Sequence, residues 1–169
     1  MKKRVCALLL VWSLLVCLCG QTLAYDLPVV SKPLDFSNAS FLDQEGEGWR
    51  WDGVSQALIL SDGLRVSTSG SAVVLPAGAT LQIRGAVEIV SSGDHGIVLG
   101  SGANLAIASG ASLTIQAAGD GIQAGSLSLE SGTLGITAGG SCLHATGGDI
   151  SLGAGASVSL SGSGPSITA

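Results

Sequence analysis

Residues 72–124 read AVVLPAGATLQIRGAVEIVSSGDHGIVLGSGANLAIASGASLTIQAAGDGIQA. The apolar residues fall in pairs spaced two apart: Leu81/Ile83 and Val87/Ile89, then Leu105/Ile107 and Leu113/Ile115. Spacing of two puts both members of a pair on the same side of a strand. Each set of two pairs is followed by an apolar anchor, first Ile97 and then Ile122. Val73, Ile97 and Ile122 stand 24 and 25 residues apart, and a fixed period in the twenties marks a solenoid. Three short inward-facing strands per turn, joined by Gly and Ser corners, predict a parallel β-helix. Helices are excluded, because glycine recurs every few residues and each costs a helix about 1 kcal/mol.

The same unit reaches outward in both directions. Anchors are read at Trp51, Val73, Ile97, Ile122, Leu143 and Ile167, giving about five coils of 21–25 residues. Second-strand pairs run from Leu58/Leu60 to Ile150/Leu152, and third-strand pairs from Leu64/Val66 to Val158/Leu160. Outward residues between them form ladders on adjacent coils. On the third strand the ladder is Arg65, Glu88, Thr114, Gly135, Ser159, so Arg65 and Glu88 are expected as neighbours in a surface ion pair. On the second strand it is Ile59, Gln82, Ala106, Ser128, Ser151.

Residues 1–24 stand outside this pattern. Lys2, Lys3 and Arg4 precede an apolar run from Val5 to Cys19, and Thr22-Leu-Ala24 suits a small-residue cleavage site. They read as a secretory signal peptide, and the run is short for a membrane span. The expected location is therefore secreted, extracellular or at the cell surface. The remaining chain holds Lys32, Arg50, Arg65 and Arg84 against twelve acids, a net charge of −8. That balance excludes nucleic acid and anionic membrane surfaces as partners. Cys142 is left as the one cysteine after residue 24, so no internal disulfide is expected.

Residues 25–48 carry Pro28, Pro33, Phe36, Phe41 and the acidic run Asp43, Glu45, Glu47, and read as an N-terminal cap over the first coil. The β-helix proper is expected from residue 49 to residue 169. Trp49 and Trp51 alternate onto one face, as core packing or as a sugar-stacking platform. No cap is legible after Ile167, so either the domain continues in longer relatives or that coil exposes apolar surface and strand edge for self-association.

The corner texts SGDHGIVL (Ser92–Leu99) and AGDGIQA (Ala118–Ala124) carry the candidate chemistry. Asp94 and Asp120 lie just before their anchors, and stacked acids suit Ca²⁺, which takes six to eight oxygens. The alternative is that Asp-Gly simply forms the corner. His95 aligns with Asp120. His144 aligns with Gln123 and Val98 on the outward side of the anchor strand. Cys142 falls in a slot otherwise filled by Ala72, Gly96 and Gly121, which suits an inert buried thiol. Arg50, Arg65 and Arg84 fall on three different strand types and cannot converge on a uronate, so lyase chemistry is not expected. Glycoside hydrolysis needs two carboxylates across a cleft, and nothing frames one.

The stretches GEGWRWDGVSQALILSDGL (46–64), residues 72–99 and LTIQAAGDGIQA (113–124) resemble the secreted bacterial carbohydrate-binding domains built as polysaccharide-lyase-like right-handed β-helices. The resemblance spans about residues 46–169 and rests on the G-W-x-W-D opening at Gly48–Asp52 and the repeated D-G-I turns. It implies an all-β, right-handed parallel β-helix that binds acidic or plant-type polysaccharide outside the cell, without catalysis of its own. It further implies calcium at stacked turn acids, here Asp94 and Asp120. Trp49, Trp51 and His144 are the candidate ligand-binding residues.

Overall fold

The computed structural model describes residues 27–39 and 41–169; the signal-peptide reading lies outside them. The chain opens with β1 (Val29–Val30) and β2 (Leu34–Asp35), then a hairpin of β3 (Gln44–Gly46) and β4 (Trp49–Asp52). Coil one is β5 (Ala57–Leu60), β6 (Arg65–Thr68) and β7 (Val73–Leu75). Coil two is β8 (Thr80–Ile83), β9 (Ala86–Ser91) and β10 (Ile97–Leu99). Coil three is β11 (Asn104–Ile107), β12 (Ser112–Ala117) and β13 (Ile122–Ala124). In coils four and five the first two strands fuse into β14 (Leu127–Ala138) and β16 (Ile150–Gly162), followed by β15 (Leu143–Ala145) and β17 (Ile167–Thr168). The architecture is an all-β parallel β-solenoid of about five turns.

Three sheets form its sides. The first stacks β1-β6-β9-β12-β14-β16, and the second stacks β2-β7-β10-β13-β15-β17. The third stacks β3-β4-β5-β8-β11, and the opening residues of β14 continue it: Ser131 at the β14 bend hydrogen-bonds Ile107 O at 2.8 Å. Parallel strands are expected about 4.8 Å apart, which sets the rise per coil. The anchor and third-strand registers read from the repeats are realised from coil one to coil five, and the second-strand register within coils one to three and between coils four and five. Val73, Ile97, Ile122, Leu143 and Ile167 are in line, as are Leu58 with Leu81 and Val87 with Leu113. Arg65 pairs with Glu88, and their side chains meet at 3.4 Å. Arg65 is exposed and Glu88 half-buried at the surface, so this pair is worth at most about 1 kcal/mol.

The inward side chains of the three sheets make one continuous core from Leu34 to Leu143. Each is there because strand alternation turns every second residue inward, and the repeat keeps those positions Leu, Ile, Val or Ala. Corners are tight. A Cβ on Gly121 would sit 2.6 Å from the carbonyl oxygen of Cys142 on the next coil and would also overlap Ile136. Coil-to-coil spacing at this corner therefore demands a residue without a side chain.

The structure corrects one reading. Trp51 is not the first anchor. Leu34 occupies that place, in line with Val73, while Trp51 lies in β4 and pairs antiparallel with Leu58 of β5. Antiparallel strands alternate with the same period of two as parallel ones, so W-R-W alone does not distinguish them. The antiparallel hairpin therefore extends to Asp52, and the first full parallel coil opens at Ala57. Trp51 is completely buried, stacked on Phe36 with ring centroids 4.7 Å apart. Trp49 is half-buried and meets Phe36 edge-on at 5.7 Å.

Candidate functional site

The corner between the first and second sheets carries the titratable residues, one coil after another. Ser91, almost fully buried, anchors the coil-two corner. Its Oγ is 2.8 Å from Gly70 O and 2.9 Å from Asp94 O, and it accepts Asp94 N–H at 3.2 Å. Asp94 thereby projects outward, where Ser71 Oγ of the preceding coil donates to its Oδ2 at 2.8 Å. That hydrogen bond is the main cause that holds the exposed Asp94 carboxyl below the ordinary aspartate pKa; slight desolvation opposes it and His95 assists it.

His95 stands between the two acids. Its Nδ1 accepts the Asp120 backbone N–H at 3.0 Å, which leaves the ring proton on Nε2, 3.4 Å from Asp94 Oδ1. Asp120 lies deeper, with its side chain 14% exposed. Its Oδ1 accepts Ser141 N–H at 2.8 Å, and its Oδ2 accepts His144 Nδ1–H at 2.8 Å. Ser141 Oγ then meets Thr168 Oγ1 at 2.9 Å. The result is a polar ladder, Ser71–Asp94–His95–Asp120–His144, with Ser141 and Thr168 continuing it to coil five.

Burial acts to raise the Asp120 pKa, but the His144 hydrogen bond, the Ser141 N–H and the two imidazoles outweigh it, and the net shift is downward from 3.8. A carboxyl with a depressed folded pKa adds stability above its unfolded pKa and loses it as pH falls through the folded value. The thermal midpoint of the native chain is therefore expected to drop on acidification below about pH 4. Asp120→Asn should lower the midpoint at neutral pH and flatten that drop. An unchanged acid limb in the variant would show that the ladder does not couple to folding.

The calcium expectation fares poorly against this donor set. All four carboxylate oxygens of Asp94 and Asp120 already face protein groups, and His95 lies between the two acids. Among the described residues no group of three or more His, Cys, Asp or Glu is placed to hold a metal ion. Two engaged carboxylates do not fit a cation that takes six to eight oxygens.

The other candidates separate. Trp51 is sealed in the core and Trp49 packs on Phe36, so the two indoles form no open platform. Arg50 meets Asp43 at 3.6 Å, Arg65 meets Glu88, and Arg84 donates to Gln82 Oε1 at 3.2 Å, each on a different element. Cys142 is fully buried, and its thiol donates to Ser161 O at 3.3 Å. A groove of about 540 Å³ lies on the first sheet beside β1, between Leu27, Val29 and the Arg65–Glu88 pair. None of the candidate residues lines it.

Sequence reasoning missed the outer row of the second sheet as a unit. Val74, Val98, Gln123, His144 and Thr168 lie in register on successive coils, all half-exposed. The register that placed His144 beside Gln123 carries the signal for it. Two valines make one half of this face aliphatic, and an amide, an imidazole and a hydroxyl make the other half hydrogen-bonding. Among the described residues His144 Nε2 has no protein partner, while Nδ1 is fixed by Asp120. Comparison of the chain with protein-family models, with curated proteins and with solved structures gave no match in any of the three.

Proposed function

We propose that this chain is a secreted, non-catalytic solenoid that binds an extended polysaccharide along the outer row of its second sheet. The observation that carries the reading is the register of Val74, Val98, Gln123, His144 and Thr168 on five coils. A straight row at a constant spacing of about 4.8 Å suits a polymer with a regular rise. Valines offer apolar contact to the C–H face of a sugar ring. Gln123, Thr168 and the oriented imidazole of His144 offer hydrogen bonds to ring hydroxyls. The resemblance implies an acidic or plant-type polymer; the net charge of −8 on residues 25–169 favours a neutral one.

The test is calorimetric titration with cello-oligosaccharide and with polygalacturonate, each with and without Ca²⁺. Saturable binding to one of them is expected, weakened about tenfold by His144→Ala through loss of one oriented hydrogen bond. Absence of heat with every polymer, or binding indifferent to His144→Ala, counts against this face. A structural or adhesive solenoid without a sugar ligand is the second reading. The polar ladder favours it: Ser71, Asp94, His95, Asp120 and His144 bond one another from coil to coil.

A further inference from the structure

The β3–β4 hairpin ends the third sheet, and β3 is its outermost strand. It pairs with β4 on one side, and described residues flank it in the chain on both sides. Every second residue of such an edge strand leaves its N–H and C=O without a ladder partner. All three residues of β3 are exposed. Gln44 lies opposite the inward Trp51, so Asp43 and Glu45 point outward beside Arg50, and Glu47 follows at the turn. Arg50 meets Asp43 at 3.6 Å, and among the described residues Glu45 and Glu47 have no cationic partner. The edge therefore carries three carboxylates against one guanidinium.

An apolar surface adjoins this edge. Phe41 is 79%, Leu42 71% and Val54 85% exposed, the highest values among the large apolar side chains of the described residues. Two turns bring them together. Gly53 N–H donates to Asp43 Oδ1 at 2.9 Å, and a Cβ on Gly53 would lie 2.7 Å from Leu42 N. The turn that carries Val54 is thus packed backbone to backbone on the segment that carries Phe41 and Leu42. Scattered apolar residues are ordinary on a surface, but adjoining ones with a polar rim mark a site of interaction.

We infer that β3 and this apolar surface receive an extended, basic segment of another polypeptide, which adds a strand to the third sheet. Charge decides the occupant. A second copy of this chain would set carboxylates against carboxylates across the new pair, and like charges placed opposite each other are destabilising. A neutral glycan would leave the acids unmatched. A segment with lysine or arginine at alternate positions sets its cations over Asp43, Glu45 and Glu47, because both rows have the spacing of two. A hollow of about 350 Å³ beside Asp43, Gln44, Glu45 and Arg50 takes one of these side chains. The main chain of the segment completes the ladder, and an apolar residue at its end covers Phe41 and Val54. In strand addition the main chain supplies affinity and the alternate side chains supply specificity. This surface lies on the hairpin and not on the second sheet, so the inference does not rest on the sugar-binding reading.

Fluorescence anisotropy tests it, with a short labelled peptide of alternating lysine and valine and the chain recovered from a secreting host. Saturable binding that weakens with added salt is expected. A peptide with glutamate in place of lysine should bind about tenfold more weakly or less, as should the lysine peptide N-methylated at alternate residues. Glu45→Lys and Phe41→Ser should each weaken the native peptide about tenfold. Both side chains are exposed, and circular dichroism verifies the fold of each variant; the peptide changes test the same contacts on the unaltered chain. Absence of binding overturns the inference. Equal binding of the N-methylated peptide overturns strand addition, and indifference to Glu45→Lys overturns the placement on β3. Displacement of the peptide by cello-oligosaccharide, or self-association of the native chain that the peptide disrupts, overturns the occupant.

Discussion

Trp51→Ala is expected to cost about 3–5 kcal/mol, a value typical of a fully buried tryptophan cut to alanine. Trp51 heads the fully buried side chains by volume, and it holds Phe36 at 4.7 Å in a stacked pair beneath the hairpin. Its removal leaves a hole between β4 and coil one that the antiparallel pair β4–β5 cannot collapse to fill. Trp51→Phe should behave differently. The indole Nε1–H has no hydrogen-bond partner among the described residues, so a phenyl ring gives up volume and no hydrogen bond. Denaturant unfolding followed by far-ultraviolet circular dichroism separates the two variants. A Trp51→Ala protein within about 1 kcal/mol of native would mean that the hairpin does not close the core.

Gly121→Ala carries the second large effect, about 1–3 kcal/mol for overpacking a site that cannot relax freely. The added methyl meets a backbone carbonyl and the Ile136 side chain, and the carbonyl belongs to the next coil, so relief requires separating coils. Gly96 is placed the same way against Gly121 O and Ile115. The two substitutions together should be worse than additive if they pry apart the same coil interface, and additive if each coil yields alone. By contrast Gly135→Ala, whose added Cβ meets nothing within 4 Å, should leave the midpoint within error of native. Equal losses at Gly121 and Gly135 would point to a chain-entropy effect rather than a corner contact.

The repeated pairs made coils one to five legible, because inward positions in a parallel stack must recur at a fixed interval. Arg65 facing Glu88 is the sharpest instance. The first coil was misread for a physical reason: strand alternation reports which side a residue faces, not the direction of its neighbour. Leu34 sits in a segment broken by Pro28 and Pro33, and its 39-residue distance to Val73 hides it behind the hairpin. At the site, the stacking of His95 on Asp120 was legible from the straight register. The His144–Asp120 hydrogen bond was not. Asp120 is three residues before Gln123, the straight partner of His144, and such diagonal reach depends on side-chain length and corner shape. The engagement of every carboxylate oxygen of Asp94 and Asp120 by protein groups is likewise a matter of corner geometry that spacing does not encode.

Cys142 acquires a use from its position. Coil five lies over it, with Ser161 O accepting its S–H and the Cβ position of Gly162 3.4 Å from the sulfur. A thiol reagent reaches the sulfur only when coil five lifts away. Its labelling rate therefore clocks the fraying of that coil against the rest of the rod, giving a local opening free energy where global unfolding gives only the total.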